Sequence, residues 1–283
     1  MRHERFDTPG PLRLDLSVPA GEIDVRTQEG AAETTVDLEP LRGNDASREA
    51  IESARIQLRD RGDAHELVVD VPGSRGLGGI FSRGSEVRLV VVCPAGAELE
   101  AQGGSADIRA AGRYGSVEAR AGSGDVEVAE VDGTAAVKTG SGDVALDRVE
   151  GELSAQTGSG DIAIGRAGGR ATVRSASGDV AVHDSASDLT VQTASGDVSV
   201  KAVSAGEVSI QSASGDVSVG VRPGRRLWVD ASSTSGETTS DFDVGDEPAP
   251  GEGEEDGPLV ELRIATMSGD VHVARAAAAD LQQ

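Results

Sequence analysis

The sequence has few aromatic residues and a single cysteine. Its 283 residues include one Trp, one Tyr and three Phe, so any core must be filled by Val, Leu, Ile and Ala. Because Cys93 stands alone, neither an intramolecular disulfide nor a cysteine-based metal site can form within the chain. Cys93 follows the apolar run of residues 90–92, and we expect it to be a small buried strand residue.

Positive charge is also scarce. The chain has 26 Lys and Arg against 49 Asp and Glu, which gives a net charge of −23. The cations are scattered along the sequence, whereas a phosphate backbone is held by clustered Lys and Arg. The composition therefore argues against a nucleic-acid partner, and also against attraction to an anionic membrane surface.

Long apolar runs are missing as well. The first sixteen residues, MRHERFDTPGPLRLDL, contain no apolar stretch of the kind found in a signal peptide. No later run approaches the roughly 20 apolar residues that cross a bilayer. These features predict a cytoplasmic location and no membrane insertion.

What the sequence does contain is a repeat of 18 residues. Successive units begin at Gly104, Gly122, Gly140, Gly158 and Ala176, and the unit from Gly122 reads GSGDVEVAEVDGTAAVKT. The later units that carry the same Ser-Gly-Asp-Val element are longer, and the last of these elements begins at 267. A fixed period of this length is typical of an architecture in which each repeat is one structural unit.

The residues within each unit indicate two short strands. Apolar side chains fall two residues apart, first at positions such as Val126 and Val128 and again at Ala135 and Val137. A helix is excluded because Gly, Ser and Asp recur in every unit and would cost several kcal/mol per repeat in a helix interior. An isolated pair of short strands cannot bury its apolar face, but stacked pairs can. The predicted fold is an all-β, single-domain β-solenoid of stacked two-strand coils with one short capping helix.

The sequence divides into three predicted parts. Residues 1–103 form irregular N-terminal coils or a β-cap, with a helix near 46–58 that we expect to cover an open edge. Residues 104–275 form the regular solenoid, which includes an acidic loop at 245–258, and residues 276–283 form a tail or cap. A second, glycine-rich loop is predicted at 73–84.

The Ser-Gly-Asp element places one aspartate at the same position of each coil. We expect Gly to take positive φ and Asp and Ser to accept backbone N–H bonds, so that the motif is turn chemistry repeated. Two alternatives stay open: a recognition face for a partly basic partner, and a cation ladder similar to calcium-binding repeats. No other cofactor is expected. The candidate ladder consists of Asp125, Asp143, Asp161, Asp179, Asp197 and Asp216, with Asp107 and Asp270 in equivalent positions.

Two further features merit notice. A hydroxyl column at Thr139, Thr157, Ser175, Thr193 and Ser212 lies next to long polar residues and is predicted to lie on a solvated strand face. A local departure from the repeat brings Arg225 and Arg226 close to the only tryptophan, Trp228, and these three residues are the candidate partner contact. No catalytic residues are predicted, because the four histidines fall at unrelated places and the carboxylates recur in every coil.

The Ser-Gly-Asp-Val units, the Pro-Ala-Gly turns after two N-terminal strands and the segment Phe6 to Pro9 resemble the bacterial β-strand-repeat proteins called "putative adhesin". The resemblance covers nearly the whole chain. It implies a single solenoid domain of unknown function, displayed at a surface and without catalytic residues.

The predicted function is a non-enzymatic, adhesin-like scaffold that presents a repetitive surface to a protein or polymer partner. One alternative is a self-assembling structural element, similar to bactofilin filaments, which would associate as a homo-oligomer through the solenoid ends. A second is a carbohydrate-active parallel β-helix enzyme, for which a catalytic site should break the repeat locally.

Overall fold

The computed structural model describes residues 1–62, 64–73, 84–242 and 257–276. The protein is all-β with one short helix, and its parallel strands stack as a β-solenoid, which confirms the predicted fold class. The chain divides into two compact units, Met1–Asp143 and Val144–Gln283. Residues 74–83, 243–256 and 277–283, which include most of the two predicted loops and the predicted tail, lie outside the described residues.

The first unit contains ten strands and the helix α1. They are β1 (Arg2–Asp7), β2 (Leu12–Gln28), β3 (Glu33–Pro40), α1 (Asp45–Ser53), β4 (Arg55–Arg61), β5 (Ala64–Asp70), β6 (Val87–Pro94), β7 (Glu98–Tyr114), β8 (Ser116–Ala121), β9 (Val126–Val131) and β10 (Ala135–Thr139).

These strands form two walls. One wall has the order β1-β3-β6-β2-β7-β9, and the other has the order β4-β5-β2-β7-β8-β10. The 17-residue strands β2 and β7 contribute to both walls, since each pairs along its first half in one wall and along its second half in the other. The pairs β1–β3, β3–β6 and β4–β5 are antiparallel, and the other pairs are parallel.

The helix is shorter than the sequence predicted. Asn44 caps it, because its side-chain oxygen accepts a hydrogen bond from the Ser47 backbone N–H at 2.8 Å. The prediction near 46–58 was wrong for its last residues, since the helix ends at Ser53 and the chain continues as β4. The reason is that Ile56 and Leu58 alternate with polar residues, and antiparallel pairing with β5 sets them opposite Val69 and Leu67.

The second unit contains thirteen strands over its described residues. They are β11 (Val144–Val149), β12 (Leu153–Ser159), β13 (Ile162–Ala167), β14 (Ala171–Ser177), β15 (Val180–Ser185), β16 (Leu189–Ser195), β17 (Val198–Val203), β18 (Gly206–Ser214), β19 (Val217–Val221), β20 (Arg226–Ser235), β21 (Thr238–Ser240), β22 (Leu259–Ser268) and β23 (Val271–Arg275).

The coils of this unit do not stack in chain order at its end. One wall runs β11-β13-β15-β17-β19-β23-β21, and the other runs β12-β14-β16-β18-β22-β20. The coil made by β22 and β23 therefore lies between the coil of β18 and β19 and the coil of β20 and β21. Along the chain, the outermost coil therefore comes before the coil that separates it from β18 and β19.

The interior follows the alternation read from the sequence. Val182 pairs in register with Ile164 on one side and with Val200 on the other, and all three side chains are at most 2% exposed. In the second unit, valine stacked on aliphatic neighbours fills the interior, whereas the first unit also buries Tyr114, whose hydroxyl donates to the Val25 carbonyl at 2.9 Å. Cys93 is also fully buried in the first unit, and this burial raises the pKa of its thiol to about 12, as befits a structural cysteine.

Candidate functional site

The aspartate column lies at the bends that directly precede strands β9, β11, β13, β15, β17, β19 and β23. The glycine before each aspartate comes very close to the coil below. A Cβ atom added to Gly196 would lie 2.2 Å from the carbonyl oxygen of Gly178, and both glycines have φ near +130°. Only glycine fits this combination of positive φ and close approach.

Each aspartate in the column binds the next coil. The Oδ1 atom of Asp179 accepts a hydrogen bond from the Asp197 backbone N–H at 2.8 Å, and Asp197 does the same for Asp216. The bond therefore joins successive coils, whereas the sequence analysis placed it within one bend. Equivalent bonds of 2.8–3.1 Å join Asp107 to Asp125, Asp125 to Asp143, Asp161 to Asp179, Asp216 to Asp270 and Asp270 to Glu237.

This geometry commits one oxygen of each of these carboxylates to a backbone donor. Calcium takes six to eight oxygen ligands. Within the described residues, no group of three or more His, Cys, Asp or Glu side chains is arranged to hold a metal ion. The calcium ladder stays a hypothesis from the sequence, and the hydrogen bonds give the column a structural role without a cation.

The hydroxyl column is buried, which corrects the prediction of a solvated face. Thr139 and Thr157 are each 2% exposed, and Ser175, Thr193, Ser212 and Thr266 are buried as well. Thr139 Oγ1 donates to the Gly124 carbonyl at 3.2 Å and accepts from the Gly142 N–H at 3.1 Å, so this hydroxyl ties a strand end to the following bend. The signal was present in the sequence, because the inward alternation Ala135, Val137 continues to Thr139.

The outward positions of the same wall form a polar surface in the second unit, which we call the hydroxyl–amide face. Three columns run across its stacked strands in parallel register. None of the three columns contains a carboxylate, although the chain has 49 acidic residues. The columns are Ser154, Thr172, Thr190 and Ser209; Gln156, Arg174, Gln192 and Gln211; and Ser159, Ser177, Ser195 and Ser214.

The hydroxyl–amide face is ordered by its own contacts. Arg174 Nε donates to the Gln192 side-chain oxygen at 2.9 Å, which fixes the amide orientation across two strands. Strands in a sheet lie about 4.8 Å apart, so each column repeats a donor or acceptor group at that spacing. Such a surface can make many weak, equivalent hydrogen bonds to an extended ligand.

The candidate contact residues lie at the start of the outermost strand β20. Arg226 and Trp228 are exposed, whereas Arg225 is only partly exposed and precedes the strand. The Trp228 side chain is 47% exposed, and the guanidinium of Arg263 lies 5.6 Å from its ring centroid. Arg226 Nε donates to the Gly257 carbonyl at 3.1 Å. Arg226 and Trp228 thus lie two residues apart on the exposed side of β20, and Arg225 immediately precedes the strand; their role as a partner contact stays a prediction.

Sequence reasoning missed a buried ion cluster. Asp184 is only 5% exposed, and its two carboxylate oxygens accept from Arg166 at 2.5 Å and from Arg222 at 3.0 Å. The small Ala202 is the register neighbour of Asp184 on the next strand. No pattern in the repeat indicates Arg222, because it follows β19 and contacts a residue 38 positions earlier.

The family comparison agrees with this architecture. A family model described as Toastrack DUF4097 matches residues 14–274. The chain belongs to the Toastrack family. No curated protein matches it.

Three solved structures are similar to the Toastrack chain over almost its whole length, each at 11% identity. A "putative adhesin" from Bacteroides fragilis has a TM-score of 0.43, with 96% of both chains covered. A second, from Parabacteroides distasonis, has a TM-score of 0.40 with the same coverage. A "putative cell adhesion protein" from Clostridium sporogenes has a TM-score of 0.32, with 97% of this chain and 99% of that chain covered.

Among the described residues of the Toastrack chain, no helix is both long enough and apolar enough to span a membrane. The cytoplasmic location stays a prediction from the sequence.

Proposed function

We propose that the protein is a non-enzymatic, adhesin-like binding module whose hydroxyl–amide face binds a neutral, hydroxyl-rich polymer such as a polysaccharide. The observation that carries this proposal is a set of three columns that carry no carboxylate in a chain of net charge −23; the nearest outward carboxylate on these strands is Glu207, at the start of β18. A polymer with hydroxyl groups at regular intervals can pair with both the donors and the acceptors of such a face.

The chemistry of the face favours a polymer over a small ligand. Its side chains lie on the outer surface of a sheet and do not converge in a pocket. Affinity for an extended ligand would therefore come from many equivalent contacts, in the way that linked sites reinforce one another. A short oligosaccharide should bind far more weakly than a long chain.

The test is a binding screen against insoluble and soluble neutral polysaccharides, measured by co-sedimentation and isothermal calorimetry. The variant Gln156→Ala/Gln192→Ala/Gln211→Ala removes the three glutamines of the column that also contains Arg174. The matched control is Ser199→Ala/Ser218→Ala, which removes two outward-facing hydroxyls from the other wall.

We expect the triple variant to lose at least tenfold in polysaccharide affinity and the control to bind as the parent does. Far-ultraviolet circular dichroism should show both variants folded, because all five side chains lie outside the core. Equal loss in both variants, or no binding to any neutral polysaccharide, would refute the proposal. Capture of a protein ligand by the same face would replace the polymer with a protein partner.

A further inference from the structure

The outermost strand of the second unit has one free edge. Within the described part of the chain, β20 pairs with β22 and with no other strand in its wall. The Arg226 backbone N–H donates to the carbonyl of Pro258, the residue before β22, at 3.1 Å. The backbone polar groups of Arg226 therefore face β22 and not the free edge. Because successive residues of a strand point in opposite directions, Leu227 and Val229 direct their N–H and C=O groups to the free edge.

The inner face of this strand is also incompletely covered. Leu227, Val229 and Ala231 are partly exposed, although they occupy the inward positions of the coil. Their neighbours on β22 are Val260, Leu262 and Ile264, which are each at most 2% exposed. One more layer of strand would bury the three partly exposed side chains, as it does for every other coil of this unit.

The sequence of β20 is complementary to itself in one antiparallel register. We propose that β20 pairs with β20 of a second copy of this chain, about a two-fold axis that passes through Trp228. In this register Arg226 lies opposite the partner's Asp230, and Leu227 lies opposite the partner's Val229. The register neighbour of Asp230 on β22 is Arg263, which pairs with Glu207 and Glu261. Asp230 therefore makes no ion pair with any described residue of its own chain, and its carboxylate is available for this contact.

The backbone pattern fits the same register. Because Leu227 and Val229 carry the free backbone groups, they form the hydrogen-bonded pairs, and Trp228 falls at the non-hydrogen-bonded position. Side chains approach most closely at that position, so the two indole rings meet across the axis. Moving the axis to Val229 would set Arg226 opposite the partner's Ser232 and remove both ion pairs.

The proposal is independent of the polymer-binding function, because β20 lies at the edge of the wall and the hydroxyl–amide face lies on strands β12, β14, β16 and β18. It is tested by charge reversal with the full chain, using sedimentation velocity over a range of concentrations. Asp230→Arg sets two arginines opposite each other, and Arg226→Asp/Asp230→Arg restores both pairs in reversed order. Glu152→Arg, an exposed site on the bend before β12, is the matched control for the same change in charge.

We expect a concentration-dependent dimer in the parent and in the control. The single reversal should weaken dimerisation by more than about tenfold, and the double reversal should restore it to within about threefold. A dimer that survives Asp230→Arg would overturn the register. A parent that stays monomeric, as it would if another segment covered the edge, would overturn the proposal, and so would open-ended polymers.

A cross-link gives a second readout that does not depend on affinity. In the variant Trp228→Cys, the two cysteines meet at the axis, where a non-hydrogen-bonded pair suits disulfide geometry. Mild oxidation should give a covalent dimer, whereas Thr190→Cys on the hydroxyl–amide face should not. Cys93 does not interfere, because it is fully buried. Equal cross-linking of the two variants would contradict a specific axis at Trp228.

Discussion

At the scale of single residues, the aspartate column shows how like charges can be stacked without a cation. Carboxylates about 4.8 Å apart repel by about 1 kcal/mol even in water. Each bond from a backbone N–H to a carboxylate stabilises the fold by roughly 1.5–3 kcal/mol, because the acceptor is charged. The hydrogen bond therefore exceeds the repulsion, and the column can be a net source of stability.

The column predicts a difference between two substitutions at Asp197. Asp197→Ala leaves the Asp216 backbone N–H without its acceptor and should lower the free energy of unfolding by about 1–2 kcal/mol. Asp197→Asn keeps an acceptor oxygen and removes one repelling charge, so its stability should stay close to that of the parent. Urea unfolding followed by circular dichroism measures both. If Asn destabilised as much as Ala, the charge of the column would matter more than its hydrogen bonds.

The buried ion cluster predicts a larger effect. Asp184→Ala leaves the guanidinium groups of Arg166 and Arg222 without their shared carboxylate, and breaking a buried pair in this way costs roughly 3–5 kcal/mol. Because Arg166 is partly exposed to solvent, we expect the lower end of that range. Asp132→Ala removes the exposed ion pair with Arg113 and should cost under about 1 kcal/mol. Similar losses at both sites would contradict the special role of Asp184.

Asp15 predicts a pH-dependent effect. Burial, together with the carboxylates of Glu100 and Glu66, raises the pKa of Asp15 above its ordinary value. The charged form is thus disfavoured in the folded state, and the parent gains stability as the pH falls through the folded pKa. Asp15→Asn should therefore be more stable than the parent at pH 7.

The stability advantage of the Asp15→Asn variant should shrink as the pH falls through the raised pKa and vanish below the ordinary value of 3.8. Unfolding by urea at a series of pH values measures it, with Asp70→Asn in the exposed end of β5 as the control for loss of a charge. An advantage that grew on acidification would mean that the pKa of Asp15 is lowered.

At the scale of strands, inward and outward positions should differ sharply in tolerance. Val182 is fully buried between Ile164 and Val200, so Val182→Asp places an unpaired charge between coils and should cost several kcal/mol. The next residue, His183, points outward, and His183→Ala should be nearly silent. His183→Asp is the matched control for the new charge. Thermal unfolding compares all three, and equal tolerance at 182 and 183 would reverse the assignment of the faces.

Most of the strands could be predicted from the period-two alternation of apolar residues. Alternation with period two located the paired strands of each repeat, and it also held the information that Thr139 faces inward, which was not used. It failed for the helix, because Ile56 and Leu58 fit one face of a helix as well as one face of a strand. Pairing with Val69 and Leu67 decides between these conformations, and that contact is not visible in a local pattern.

At the scale of the whole molecule, the repeat predicts the solenoid but not the order of its last coils. The stacking energy of a coil depends on the side chains that it presents to its two neighbours. The residues of β22 suit a position between two coils better than those of β20 do. Val260, Leu262 and Ile264 give β22 three large, buried aliphatic side chains, which suit a position between two coils. The strand β20 carries smaller and more polar residues toward its end and takes the edge. The coils would be expected to stack in the order of the chain only if their inward side chains were equivalent.

The net charge of −23 leads to a last prediction. Excess carboxylates repel one another in the folded state, and salt screens this repulsion over a distance that falls from about 30 Å at 0.01 M to about 3 Å at 1 M. Raising sodium chloride across this range should therefore raise the unfolding temperature, measured by scanning calorimetry. Surface ion pairs such as that of Arg109 and Glu127 are weakened by the same salt, but exposed pairs contribute little.

The control for this prediction reduces the charge directly. Asp147→Asn/Glu152→Gln removes two exposed carboxylates from the second unit, and the salt-induced rise should become smaller in this variant. A fall in the unfolding temperature with salt would mean that the ion pairs outweigh the repulsion. In that case the acidic surface would be a stabilising network, and the variant should be less stable than the parent at low salt.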